Sequence, residues 1–188
     1  MTFTEILFSV AVLLWFSSEI YYKQKLKSVD NAEKKDQSTL NILWVVIMPS
    51  VFLSVFISDK ISLPISSDEL MQPIGIFLIL FGVAVRFIII RSLGKYFTVD
   101  VSIRKDHQVK KDGFYRFVRH PSYTMALTSF LGLGLYLNNW LSLAIAFVPV
   151  FCAFFYRIKI EESALTEQFG EEYLQYRKST KMLIPFLF

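Results

Sequence analysis

The run GFYRFVRHPSY, residues 113–123, sets Arg116, Arg119 and His120 just ahead of Pro121, with Tyr115 and Tyr123 on either side. Proline fits the first turn of a helix, where its missing N–H has no partner to lose. Arg119 or His120 would then occupy the cap, and the free N–H groups of the helix start could receive an anion such as a carboxylate. The same residues would serve equally as interfacial anchors, with basic side chains on lipid headgroups and tyrosines in an aromatic belt. A second run, YRIKIEESAL, residues 156–165, follows directly on an apolar stretch. Arg157 and Glu161 stand four apart and share a helix face. Glu161 and Glu162 place adjacent carboxylates at the edge of an apolar segment, which is costly unless a cation or a polar ligand meets them. A ligand with an amino group and a ribose diol would suit them, and so would nearby arginines. The plain alternative is a solvated first turn of a polar helix.

The elements that must position these two runs are apolar. The residues AVILMFWYC make up 54% of the 188-residue chain and charged residues only 19%, with 19 Phe, 9 Tyr and 3 Trp. A globule of this size could not bury so many aromatic rings and still cover its surface with polar groups. A membrane protein follows. Apolar runs at 6–22, 40–57, 73–90, 123–137 and 140–156 approach the roughly 17–25 residues needed to cross a bilayer. Asn138 and Asn139 alone separate the last two, so these are read as a tight helical hairpin. The expected fold is all-α: one polytopic domain over 1–188, five transmembrane helices and a C-terminal cytosolic amphipathic helical segment.

Charges orient the bundle. Loop 23–40 carries Lys23, Lys25, Lys27, Lys34 and Lys35, whereas loop 58–72 carries only Lys60. The stretch 91–120 is again rich in Arg and Lys, the turn at 138–139 has neither, and Arg157 and Lys159 open the C-terminal segment. By the positive-inside rule the N-terminus faces out and the C-terminus faces the cytosol. Both motif runs then lie on the cytosolic side, and the 123–156 hairpin returns Arg157–Glu162 close to Arg119–Pro121.

Other residues have structural readings. Arg86 sits about one turn inside the cytosolic end of the third span and is expected to snorkel outward, as is Glu19 in the first. Pro49 and Pro149 fall within apolar runs, where proline bends a helix. Gly132 and Gly134, in LGLGL, permit close approach of a neighbouring helix or of a ligand. They are no dinucleotide fingerprint, because neither a strand before nor an acidic residue after them fits one. His107 lies beside Asp106 in a polar loop. With Cys152 as the single cysteine and His107 and His120 as the only histidines, neither a disulfide framework nor a Cys- or His-rich metal site is expected. After Gly170 a short helix should carry Tyr173 and Tyr176, and MLIPFLF, residues 182–188, is expected on the membrane as a lid.

GFYRFVRHPSY, followed after the hairpin by RIKIEESALTEQFGEEYLQYRKSTKMLIP, resembles the isoprenylcysteine carboxyl methyltransferase and phospholipid methyltransferase group of integral membrane methyltransferases, in particular their small prokaryotic members. The likeness covers about residues 93–186. It implies S-adenosylmethionine as cofactor, with His120, Tyr123 and Glu162 around it, the backbone near Gly113 contributing, and Gly132 and Gly134 nearby. It places Arg157 and Glu161 toward the acceptor, and Met125 stands where the family often has glycine. It also implies a lipophilic or prenylated substrate entering from the bilayer of a prokaryotic cell membrane, with membrane lipids but no nucleic acid as partners.

Methyl transfer from a sulfonium is an in-line displacement, so such a protein mainly aligns the reactants and excludes water. A carboxylate acceptor needs no base, only a cation to orient it, and Arg157 or Arg119 offers a bidentate fork. An amine acceptor, such as a phosphatidylethanolamine-type headgroup, would need its proton removed, with Glu161 or His120 as the base. Methylation of a prenylcysteine-type carboxylate is the favoured expectation; lipid N-methylation, a reductase or uncharacterised enzyme on the same membrane fold, and a non-enzymatic membrane role are the others.

Overall fold

A computed structural model describes residues 2–25, 33–36, 38–94, 101–103 and 109–185. His107 and Asp106 lie outside that range, as do Phe186–Phe188. Helices α1 (Phe3–Lys25), α2 (Ser38–Lys60) and α3 (Met71–Leu93) are followed by α4 (Pro121–Tyr136), α5 (Trp140–Phe169) and α6 (Glu171–Ser179). A short 3-10 helix, Gly113–Arg116, precedes α4. The all-α expectation needs one amendment. Strands β1 (Glu33–Asp36) and β2 (Val101–Ile103) pair antiparallel, with a bulge between Lys34 and Asp36, and so tie the α1–α2 loop to the α3–α4 loop.

Helices α1, α2, α3 and α5 are long and apolar enough to cross a membrane. Helix α4, with 16 residues, is only about 24 Å long at 1.5 Å per residue, short of a hydrocarbon core of about 30 Å. Among the described residues, four helices therefore meet the length of a span where five were expected. Helix α5 departs in the other direction. Its apolar part ends at Tyr156, yet the same helix runs on to Phe169, so Arg157–Phe169 projects beyond that part as a rigid extension. Gly170 ends it at φ 52°, a left-handed conformation that glycine tolerates best, and α6 follows at once.

Helix α3 packs along α4, α2 along α5, and α1 against α3. The α3–α4 contact is backbone to backbone: a Cβ added to Gly132 would lie 2.7 Å from the Gly75 carbonyl oxygen and 2.9 Å from the Ile79 nitrogen. A Cβ at Gly134 would meet the Leu143 backbone of α5 at 2.7 Å. Helices α2 and α5 run on through Pro49 and Pro149. The core is a seam along the bundle, in which Trp15, Ile79, Phe130, Leu133, Val150, Phe154 and Ile158 are buried together. Outside it, Val45 and Phe52 are 72% and 69% exposed, as suits a helix face that meets lipid rather than water.

One end of the bundle is closed by asparagines. Asn138 adopts φ 46° and its side-chain oxygen accepts from the Ile65 and Ser66 N–H groups, while Asn139 caps α5 by accepting from Ser142 N–H. The other end collects the C-termini of α1, α3 and α5 and the N-termini of α2 and α4. There Arg157 meets Thr39, Arg86 meets Glu19, and Tyr123 meets Glu161. Arg86 and Glu19 do not reach outward separately; they pair with each other between α1 and α3. The tail also departs from the expected surface lid, because Leu183 is buried in the main core while Ile184 is exposed.

Candidate active site

Pro121 opens α4 with His120 as its N-cap residue. The backbone before it is held by the C-terminal tail. Arg119 N–H donates to the Lys181 carbonyl at 2.8 Å, His120 N–H to Met182 at 3.1 Å, and the Thr124 hydroxyl to Leu183 at 2.7 Å. This strap fixes the direction in which Arg119 and His120 leave the chain. The N–H groups of Tyr123 and Thr124 both donate to the His120 carbonyl, so part of the helix start is satisfied locally.

Glu162 is the hub. Its Oε1 accepts from Arg119 Nε at 2.6 Å and lies 3.2 Å from His120 Nε2, and its Oε2 lies 3.3 Å from Arg177 Nε. The residue is 5% exposed. Burial pushes the Glu162 carboxyl up, but hydrogen bonds from His120 and Arg119, with their charges, outweigh it and hold the group at about 2. Glu162 is therefore a carboxylate at any working pH, and it can only accept; His120 Nε2 must carry the hydrogen. Arg119 spends its remaining reach on the carbonyls of Arg177 and Thr180.

Glu161 heads a second branch. Its Oε2 accepts from the Tyr123 hydroxyl at 2.8 Å, and that hydroxyl accepts from Arg157 Nε at 3.0 Å. Arg157 is 3% exposed and also donates to Thr39 at 3.1 Å, which brings α2 into the site. His120 stacks on Tyr123 with ring centres 5.6 Å apart and lies between the branches, its Nδ1 3.9 Å from Glu161. The Glu161 side chain keeps 30% of its surface exposed, so this branch is the more open one.

Helix α6 forms the outer wall. The Tyr176 hydroxyl donates to the Tyr115 carbonyl at 2.6 Å. The Tyr173 hydroxyl is buried with no hydrogen-bond partner among the described residues. Burial raises the Tyr115, Tyr173 and Tyr176 phenols, and Glu162 nearby raises the last two further, so all three stay protonated. Beside Tyr176 and Thr180 lies a polar cavity of about 670 Å³, reached also by Lys111, Arg116 and Glu172.

Six of the residues singled out from the sequence thus share one cluster: Arg119, His120, Tyr123, Arg157, Glu161 and Glu162. Gly113 stands close by, in the turn before Tyr115, at φ 60° with open space where a Cβ would point. Gly132 and Gly134 are not brought into the cluster; the space beside each is filled by α3 or α5. Sequence reasoning missed Arg177 and Thr39. Arg177 was detectable, since Tyr173, Tyr176 and Arg177 recur at helical spacing on one face. Thr39 carried no signal.

Residues 74–167 match the model of the isoprenylcysteine carboxyl methyltransferase (ICMT) family. The chain belongs to the ICMT family. It is 35% identical over 123 residues to the protein-S-isoprenylcysteine O-methyltransferase of Saccharomyces cerevisiae, a match spanning 64% of this chain and 52% of the yeast protein. The B form from Arabidopsis thaliana is 35% identical, over 60% of this chain and 58% of its own length. An uncharacterized Haemophilus influenzae protein is 28% identical over 72% of this chain and 76% of that protein. The solved structure of the eukaryotic intramembrane Ras methyltransferase ICMT superposes with a TM-score of 0.57 at 25% identity, covering 81% of this chain and 54% of that one. The chain spans about half the length of the curated ICMT relatives it matches. With four helices fit to span a bilayer, this ICMT-family chain is an integral membrane protein.

Proposed function

We propose that this chain is a membrane-embedded methyltransferase that uses S-adenosylmethionine to O-methylate the carboxylate of a prenylated cysteine or a similar lipophilic thioether acid. The observation that carries the reading is the cluster itself. The start of α4 and the charged extension of α5, distant in sequence, meet at the mouth of an apolar bundle, where a lipid tail can remain in hydrocarbon while its head enters a polar site.

The residues present suit the cofactor. Glu161 offers a partly open carboxylate for an ammonium or ribose hydroxyls, the orphaned Tyr173 hydroxyl wants a polar partner, and the stacked His120 and Tyr123 rings give a flat wall. When bound, S-adenosylmethionine supplies an electrophilic methyl group. The chain supplies alignment and dryness. Arg157, buried beside Tyr123, is the fork that orients an acceptor carboxylate, while Arg119 is occupied in fixing Glu162 and the tail. An amine acceptor would draw instead on Glu161 as base. Helix α4 is taken to cross as the partner of α5, giving five crossings, with the N-terminus outside and the cluster in the cytosol of a prokaryotic cell.

Calorimetric titration of purified protein with S-adenosylmethionine and S-adenosylhomocysteine tests the cofactor, with Glu161→Gln and Glu162→Gln beside wild type. Micromolar binding weakened in the variants is the expected result, and no binding by folded wild type sinks the proposal. Prenylcysteines and lipid amines offered in turn then decide the acceptor.

A further inference from the structure

The outer side of the tail strap carries side chains that neither the core nor the cluster uses. Phe114, Phe117 and Ile184 are 41%, 54% and 47% exposed. The backbone gathers them: Phe117 N–H donates to the Phe114 carbonyl at 3.2 Å, and Lys181 N–H, three residues before Ile184, donates to the Phe117 carbonyl at 3.4 Å. Along this strap the side chains divide. Val118, His120 and Leu183 are buried, whereas Phe117, Lys181 and Ile184 are exposed. Arg116 and Lys178 are exposed as well, and none of Arg116, Lys178 and Lys181 has an ion-pair partner among the described residues. The carboxylates around them are committed elsewhere, Asp112 to Lys110, Glu172 to Lys111, and Glu162 to Arg119 and Arg177. Glu171 stands at the far end of α6, about 10 Å from Lys178 at 1.5 Å per residue.

The level of this patch on the bundle says what covers it. Helix α4 starts at Pro121, four residues after Phe117. At about 24 Å it is shorter than the hydrocarbon core of about 30 Å, so an α4 that crosses beside α5 cannot hold its first turn clear of the bilayer. Phe114 and Phe117 are then drawn down to the headgroup layer. Apolar side chains there sink toward the acyl chains while arginine and lysine reach back to the phosphates. A zwitterionic leaflet would cover the three apolar side chains but leave the three cations without a counter-charge. An anionic leaflet answers both halves of the patch.

We infer that Phe114, Phe117 and Ile184, with Arg116, Lys178 and Lys181, form a docking surface for the anionic headgroups of the cytosolic leaflet, which seats the tail strap on the bilayer. Anchoring thus falls to side chains on the outer face of the strap, whereas Arg119 and His120 turn inward to Glu162. Lipid would hold from outside the same strap whose backbone bonds aim Arg119 and His120 from within. The inference rests on the proposed crossing by α4 and not on the cofactor or the acceptor.

The test attaches a polarity-sensitive fluorophore at Phe117→Cys in a Cys152→Ala background, with Glu171→Cys as the control position. The protein is placed in nanodiscs of phosphatidylcholine alone or with about a third phosphatidylglycerol, and quenching by a lipid spin-labelled near its headgroup is measured. Quenching at Phe117→Cys should be about threefold stronger in the anionic discs, and salt at about 1 M should remove the difference. Arg116→Gln, Lys178→Gln and Lys181→Gln combined should remove it too, with thermal melting to show that the variant folds. If that variant does not fold, the salt series decides. A probe that stays water-like in both lipids, equal quenching in the two, or a difference that survives salt or the folded charge variant overturns the inference. So does equal quenching at Glu171→Cys, which would put the whole end in lipid rather than one patch. Inorganic phosphate added to phosphatidylcholine discs should leave quenching unchanged; if it reproduces the anionic effect, the ligand is a free anion and lipid docking fails. Labelling of Trp140→Cys from outside the membrane tests the crossing separately. Anionic quenching with Trp140→Cys inaccessible from outside keeps the docking and removes the crossing by α4, and an accessible Trp140→Cys without quenching does the reverse.

Discussion

At the scale of single residues, charge and geometry separate roles that look alike in sequence. Arg119, half-buried, and Arg157, buried, both lie near carboxylates, but Arg119 is bound to Glu162 and to two tail carbonyls, whereas Arg157 bonds a tyrosine and a threonine. Arg157→Lys keeps the charge and loses the fork, so kcat/KM for a carboxylate acceptor should fall by about a hundredfold. An amine acceptor should lose far less in the same assay. Glu162 carries a pH signature. Its carboxyl is held at about 2 against an ordinary 4.5. A depressed carboxyl stabilises the fold above its unfolded value and loses that contribution as pH falls through the folded one. Thermal melts of wild type should therefore be insensitive to this group above pH 4.5 and decline between 4.5 and 2, a decline that Glu162→Gln should lack. That variant should also be less stable at neutral pH by about 3–5 kcal/mol, because Arg119 and His120 are left without their shared acceptor.

At the scale of elements, close backbone contact decides how the helices are levelled. Gly132 touches α3 through its Cα, and a Cβ there would drive into the Gly75 carbonyl and the Ile79 nitrogen, neither of which can move as a flexible side chain could. Gly132→Ala should cost about 3 kcal/mol or more in thermal or denaturant unfolding, beyond ordinary overpacking. Gly113→Ala should cost about 1–2 kcal/mol, for its positive φ alone, since its surroundings are open. If Gly132 served a cofactor rather than a helix, the ranking would invert in binding assays while stability held. The same levelling puts Arg86 opposite the start of α4. Hydropathy marks α3 as a span but says nothing about its rotation or depth, and so the Arg86–Glu19 pair was read as two independent side chains reaching outward.

At the scale of the whole molecule, the proposed orientation rests on the alternating loop charges and is open to direct labelling. The α2–α3 loop and the α4–α5 turn hydrogen-bond each other, so Ser66→Cys and Trp140→Cys, placed in a Cys152→Ala background, should be labelled from outside intact cells by an impermeant maleimide. Lys159→Cys should be labelled only after lysis. Labelling of Trp140→Cys from the same side as Lys159→Cys would contradict the proposed crossing by α4. The apolar composition, the tight hairpin and the two motif runs were all legible in the sequence, because each is a matter of local pattern: residue type, spacing, and the cost of polar groups in lipid. Gly170 as a helix stop and Pro121 as a helix start were legible for the same reason. Which arginine meets which glutamate was not. Glu162 takes Arg119 from a neighbouring helix start and Arg177 from beyond the Gly170 break, and Leu183 leaves the surface to enter the core beneath the tail strap. These pairings depend on the relative rotation and depth of packed helices, set by contacts such as Gly132 on Gly75, and no periodicity within a single helix encodes that register.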